Sequence, residues 1–210
     1  MTLSANRERD VRENCAGGYE PIPMKETNMQ QTGLPGLSHV DHVGLTVPDL
    51  DAAVNFYRDV IGGVELFRVG PLDASALPKM PDGRDWTEAY LGVADARAFI
   101  AMLQVGSNLM LELFQYEKPL ERRSSPPRNC DPGGHHIAFK VADIIQAVSY
   151  LRGKGVRVFE GPAAIESGPN AGVKWIYFLD PWGNQLELFE YSRQAFEAFS
   201  PAAIYRPAPF

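Results

Sequence analysis

Little in this chain speaks for a polyanion, a membrane or an oxidising compartment. Its two cysteines, Cys15 and Cys130, are too few and too isolated for a disulfide framework, a zinc knuckle or a redox pair. A reducing cytoplasm is the simplest home. No apolar run approaches the roughly 20 residues that a membrane helix needs. The opening, Met1-Thr-Leu-Ser-Ala-Asn-Arg-Glu-Arg-Asp10, is too charged for a secretory leader. Lys and Arg number 20 against 26 Asp and Glu, a formal charge of −6, which leaves no basic footprint for nucleic acid. Histidine is scarce as well, with four residues. Where those histidines fall is the informative part.

They fall in a doubled phrase. His39-Val-Asp-His-Val-Gly-Leu-Thr-Val-Pro-Asp-Leu returns in outline as Gly134-His-His-Ile-Ala-Phe-Lys-Val-Ala-Asp-Ile. In both copies a His (His42, His136) stands seven residues ahead of an Asp (Asp49, Asp143) that opens a helical run. Both copies close on Leu-Glu-Leu-Phe, at Leu111–Phe114 and Leu186–Phe189. The repeat thus delivers two His and two Glu at corresponding places, the ligand inventory of a divalent metal site.

Hydrophobic residues make up 45% of the chain, enough for a real core. The expected organisation is an N-terminal arm over 1–37, a first module over 38–116, a linker over 117–133, a second module over 134–191 and a tail over 192–210. The arm, polar and then rich in Pro, Gly and Gln, has no sustained period and could pack across a neighbour in a dimer. In the first module a strand through Val43, Leu45 and Val47 leads into a helix carrying Leu50, Ala53, Val54 and Tyr57, ended by Gly62-Gly63. Strands at Val64–Val69, Ala96–Val105 and Leu109–Gln115 follow, with a loop from Gly70 to about Gly92. The second module repeats the order: His135–Val141, a helix through Ile144, Ala147, Val148 and Leu151, then Val156–Glu160, Val173–Phe178 and Gln185–Glu190. Asp180-Pro-Trp-Gly-Asn184 marks a turn before the last strand. Each module is β-α-β-β-β, and the fold class is α+β. A sheet with one covering helix leaves its other face bare, and pairing two such faces closes a cleft.

Strand parity selects the residues of that cleft. Where Val43, Leu45 and Val47 face the helix, His42 faces the opposite side. Leu109, Leu111 and Leu113 send Glu112 the same way. Ile137, Phe139 and Val141 do so for His136, and Leu186 and Leu188 for Glu187. His135 shares the parity of Ile137 and is expected to be packed or hydrogen-bonded instead. A purely structural account of the two Glu would need partners such as Arg97 or Lys174, because burying an unpaired carboxylate is expensive.

With these motifs in view, residues 38–191 resemble the vicinal-oxygen-chelate superfamily, which includes glyoxalase I, methylmalonyl-CoA epimerase, extradiol dioxygenases and bleomycin-resistance proteins. Asp41-His-Val-Gly-Leu-Thr-Val-Pro-Asp49 with Phe56-Tyr-Arg-Asp59, then Leu111-Glu-Leu113, Gly134–Phe139 and Phe178–Leu188 carry the resemblance. It implies tandem βαβββ modules pairing into a metal-binding cleft, with one divalent transition metal (Zn, Ni, Co, Mn or Fe) held by His42, Glu112, His136 and Glu187. It implies Glu187 as ligand and base, as in glyoxalase I, with Glu112 placed to return a proton on the other side.

The expected activity is a metal-dependent epimerase or isomerase. It would move a proton next to a carbonyl through an enediolate or enolate of a small hydroxy-ketone, ketose-like and cyclic, as in secondary metabolism. Three alternatives belong beside it: a glyoxalase-I-like lactoylglutathione lyase, an iron-dependent extradiol dioxygenase and a ligand-sequestering protein without turnover. Arg84 and Trp86, in Pro81–Trp86, are candidate substrate contacts at the cleft mouth. Expected partners are a small-molecule substrate and a second copy in a homodimer, with no nucleic acid and no membrane.

Overall fold

A computed structural model describes residues 34–168, 170–193 and 195. Residues 1–33 of the expected arm, Cys15 among them, and almost all of the tail lie outside the described residues. Among the described residues, eight strands and three helices follow in the order β1 (His42–Thr46), α1 (Leu50–Asp59), β2 (Val64–Asp73), α2 (Trp86–Leu91), β3 (Arg97–Val105), β4 (Leu109–Lys118), β5 (His136–Lys140), α3 (Ile144–Gly153), β6 (Ala163–Ala164), β7 (Lys174–Leu179) and β8 (Gln185–Glu190). They make two four-stranded sheets of one topology, β1-β4-β3-β2 and β5-β8-β7-β6. In each sheet the first and last strands of the module pair in parallel, and the other pairings are antiparallel. Among the described residues no helix is long and apolar enough to cross a membrane.

The duplication reaches down to single hydrogen bonds. Asp49 caps α1 by accepting from the Ala52 N–H, and Asp143 caps α3 by accepting from the Gln146 N–H, each at 2.9 Å. The first amide of each helix is met from the last strand of its module. Leu50 N–H donates to Gln115 Oε1 at 2.6 Å, and Ile144 N–H donates to Glu190 Oε2 at 2.7 Å. A Gly-Pro joined by a cis peptide lies within one outer strand, Gly70-Pro71 in β2, and directly before the other, Gly161-Pro162 ahead of β6. Their glycines hold φ of +133° and +126°, where a Cβ would press on Ala98 O or Ala163 N at 3.0 and 2.9 Å.

Two expected elements differ. Glycine and proline made the stretch after Val69 look like a loop, yet β2 runs on to Asp73, and Trp86–Leu91 forms the short helix α2, capped by Asp85 accepting from the Glu88 N–H at 2.7 Å. Val156–Glu160, expected as a strand, lies beside β7 through Leu179 N–H to Arg157 C=O and Phe159 N–H to Tyr177 C=O, each 3.0 Å, but it makes a single bridge, Val158 to Phe178. The strand of that edge is the two-residue β6.

The helix-facing residues of both modules form one core: Leu45, Val54, Leu111 and Leu113 on one side, Ile144, Ile176, Phe178 and Leu186 on the other. Each side chain of this size contributes about 1.5–3 kcal/mol when buried. Contacts across the modules come from the helices. Tyr57, at the end of α1, is fully buried and donates its phenol to Asp180 Oδ2 at 3.0 Å. Phe56 meets Trp182 edge-on at 6.3 Å, and the Tyr150 hydroxyl donates to Asp59 C=O at 3.4 Å. Asp180 also accepts from Trp182 N–H, Asn184 N–H and Asn184 Nδ2 at 3.0, 2.8 and 2.6 Å, so the turn before β8 is wound around one buried carboxylate. Burial and that carboxylate push the Tyr57 phenol pKa well up. Replacing Tyr57 with Phe keeps the ring and removes one donor to a buried charge, a loss of about 2 kcal/mol. The expected result is a lower urea midpoint at unchanged slope. An unchanged midpoint would show that this bond does not hold the modules together.

Candidate metal centre

Alternation along the strands sorts the side chains into two sets. On β1 and β4, Leu45, Leu111 and Leu113 are buried toward α1, while His42 and Glu112 stand on the other face. On β5 and β8, Leu186 and Leu188 face α3, while His136 and Glu187 stand opposite. Parallel pairing sets Gly44 beside Glu112 and Ala138 beside Glu187. A small residue two places after each His leaves room for the carboxylate to reach its ring.

The rings and carboxylates meet in pairs. His42 Nε2 lies 3.2 Å from Glu112 Oε2, and His136 Nε2 lies 3.1 Å from Glu187 Oε2. The other nitrogen of each ring is held by a residue that the two copies do not share. His42 Nδ1 bonds Asp41 Oδ2 at 2.8 Å, and His136 Nδ1 bonds Asn129 Oδ1 at 3.2 Å. Both partners are acceptors, so Nδ1 carries the proton and a neutral ring turns its Nε2 lone pair toward a carboxylate oxygen. Two electron-pair donors so close call for a proton or a cation. Two donors bonded at about 2.1 Å to one ion lie about 3.0–3.4 Å apart, which matches both pairs. The donor chemistry fits a divalent metal, with Asp41 and Asn129 orienting the ligands.

Neither carboxylate is claimed by a basic side chain of a facing strand. Arg97 pairs with Asp73 and Glu117 at 2.7 and 2.6 Å, and Lys174 pairs with Glu190 at 2.7 Å. The structural account of Glu112 and Glu187 as ion pairs with Arg97 or Lys174 therefore fails.

The two halves are unequal. The Glu112 side chain is 20% exposed and has Met102 as its strand partner. The Glu187 side chain is 9% exposed and has Tyr177 as its strand partner. Desolvation raises the Glu187 pKa above the usual carboxylate range, against the opposing pull of His136. His42 is pushed up chiefly by its bond to Asp41, with Glu112 adding to the shift.

Within one chain the two pairs do not merge. Among the described residues no group of three or more His, Cys, Asp or Glu is gathered at one point. His42 and Glu112 form one half-site, and His136 and Glu187 form another. His135 is exposed and its Nδ1 lies 3.3 Å from Gly133 C=O, apart from the paired donors. Arg84 is bound to its neighbour Asp82 at 2.7 Å, and Trp86 packs on Tyr90 of α2 at 4.8 Å. Among the described contacts neither of these candidate substrate residues touches a His or Glu of the half-sites.

Sequence reading missed Asp41, Asn129 and Tyr177. Asp41 had a usable signal, since an acid directly before a ligand His can reach its ring. Asn129 had none, because it lies in the linker.

The Glyoxalase/Bleomycin resistance protein/Dioxygenase superfamily model matches residues 39–188, more than half of the chain. The chain is 46% identical over 182 residues to a 2-epi-5-epi-valiolone epimerase from Actinomyces sp, covering 85% of this chain and 94% of that protein. It is 27% identical over 145 residues to the mitochondrial methylmalonyl-CoA epimerase of Mus musculus, covering 69% and 67%. A glyoxalase family protein of Bacillus cereus shares the fold, with a TM-score of 0.59 at 20% identity, over 78% of this chain and 98% of that one.

Proposed function

Because the chain belongs to the Glyoxalase/Bleomycin resistance protein/Dioxygenase superfamily, we propose that it is a metal-dependent epimerase of a hydroxylated cyclic ketone of the valiolone type. The observation that carries this reading is the matched pair of His–Glu half-sites, 3.2 and 3.1 Å across, whose two carboxylates are free of basic partners from facing strands. The strong likeness to an epimerase supports the reaction class and suggests the substrate.

Completing the site takes two chains. Cross-module contacts come from the helix side, so the His–Glu faces of one chain have no reason to meet each other. A second copy, its β5–β8 sheet laid against the β1–β4 sheet of the first, joins the half-sites into a set of four. That sheet face carries exposed apolar side chains, Phe67 and Val69 among them, which association would cover. A divalent ion held by His42, Glu112, His136 and Glu187 would supply a Lewis acid for the carbonyl oxygen and the hydroxyl beside it.

The chain's own groups handle the proton. Glu187, shielded and raised in pKa, takes it from the carbon next to the carbonyl. Glu112, from the opposite half-site, returns a proton on the other face, and the centre inverts. Trp175 and Tyr177, edge to face at 5.4 Å, form a wall that keeps water from the exchanging position.

The test is solvent exchange. The chain loaded with Mn, Fe, Co, Ni or Zn is incubated with 2-epi-5-epi-valiolone in deuterated water and followed by NMR. Deuterium at the carbon beside the carbonyl, an epimeric product and no oxygen uptake are expected. No exchange with any of these ions would remove the reading.

A further inference from the structure

We propose that Tyr177 is a specificity-determining residue that donates its phenol hydrogen bond to a hydroxyl of the substrate ring, and that Asn129 is the positioning residue that aims it. The inference rests on the epimerase reading above and names the part of the substrate that the second half-site recognises.

Four observations lead there. Tyr177 is the direct strand partner of Glu187, so the two side chains stand together on the face that bears His136. Its ring lies edge-on to His136 at 5.1 Å and to Trp175 at 5.4 Å, which fixes the phenol from two sides. Asn129 reaches both groups from the linker. Its carbonyl oxygen accepts from His136 Nδ1 at 3.2 Å, which leaves its NH2 for the phenol oxygen. Burial and the charge of Glu187 raise the Tyr177 pKa, and Asn129 pulls it back, consistent with an N–H aimed at the phenol oxygen. A phenol whose oxygen accepts from Asn129 has its own proton to give, and it stands next to the carboxylate that works on the substrate.

The fourth observation is the repeat. The corresponding strand partner of Glu112 is Met102, a thioether with no proton to donate. At the position directly opposite the carboxylate, one wall of the completed cleft therefore carries a hydroxyl and the other an apolar sulfur side chain. A ring with hydroxyls on several carbons could enter in several rotations, each presenting a different carbon to Glu187. A donor opposite Glu187, with none at the matching position opposite Glu112, selects one rotation.

The experiment is Tyr177→Phe, which keeps the ring and its contacts. Cobalt(II) binding and the thermal midpoint are expected to stay as in the wild type. KM for 2-epi-5-epi-valiolone is expected to rise about tenfold, the loss of one hydrogen bond, while kcat changes less than about threefold. Assayed on analogues each lacking one hydroxyl, one analogue is expected to give wild type and variant equal kcat/KM. Asn129→Ala is expected to raise KM as well and to weaken cobalt(II) binding about tenfold, because His136 loses its orienting acceptor. An unchanged KM in Tyr177→Phe, or a penalty shared equally by every deoxy analogue, would overturn the proposal while leaving an active wild type and the epimerase reading intact. A wild type inert on the ketone in deuterated water would overturn both.

Discussion

Glu187→Gln is expected to lower exchange of the substrate's α-proton with solvent at least about a thousandfold, within the range that loss of a positioned general base costs. Glutamine has nearly the same shape and keeps a carbonyl oxygen to offer the ion, so folding and metal content should hold. What it loses is the ability to take a proton. The wild-type carboxylate is well suited to do so. Its side chain is 9% exposed and its pKa is raised by desolvation, both of which make it a better base than a solvated Glu. Glu112→Gln provides the contrast. With Glu187 intact the proton still leaves and returns on one face, so exchange should persist while inversion stops. NMR in deuterated water reads both quantities in one tube, with metal content measured on the same samples. Exchange at the wild-type rate in Glu187→Gln would remove that residue as the base.

A second large effect follows from the two half-sites being separate within the chain. A variant with His42 and Glu112 both replaced by Ala, and another with His136 and Glu187 both replaced by Ala, should each be inactive alone. Mixed in equal amounts and allowed to exchange subunits, they should recover roughly a quarter of wild-type activity. About half of the dimers then contain one chain of each kind, and each of those has one intact site of two. A site built within one chain would recover nothing. The expected change runs from no detectable turnover to that fraction, and the assay is the same exchange measurement before and after mixing.

The parts of this protein that could be read beforehand are those where one physical rule fixes one answer. Alternation along Val43, Leu45 and Val47 set the face of His42, and Leu111 and Leu113 set that of Glu112; burial in the structure follows the same parity. Period-two patterning is unambiguous when one face is greasy. The helix α2 escaped because six residues are too few for a helical period, although Asp85 with Glu88 three places on was a start signal. Val156–Glu160 was assigned too much structure because its alternation is that of a strand, while the sheet edge falls beyond Gly161-Pro162. Asn129 was passed over because a charged, proline-rich linker reads as solvated. Its side chain matters through a contact seven residues away in sequence, and no periodic rule reports such a contact. Arg84, read as a substrate contact at the cleft mouth, bonds Asp82 two places earlier, a local pairing that no periodic rule reports.

The closing strand of each module does two jobs on two sides. In β4, Glu112 points to the side that bears His42, and three residues on, Gln115 anchors the first amide of α1; in β8, Glu187 and Glu190 divide the work in the same way. Evolution has therefore had one set of letters to preserve and another to rewrite. The inward-facing Leu residues that flank each Glu are the same in both halves, while the outward-facing partner is a thioether beside one carboxylate and a phenol beside the other. Chemistry could be reinvented on one side of a ribbon without asking permission of the other.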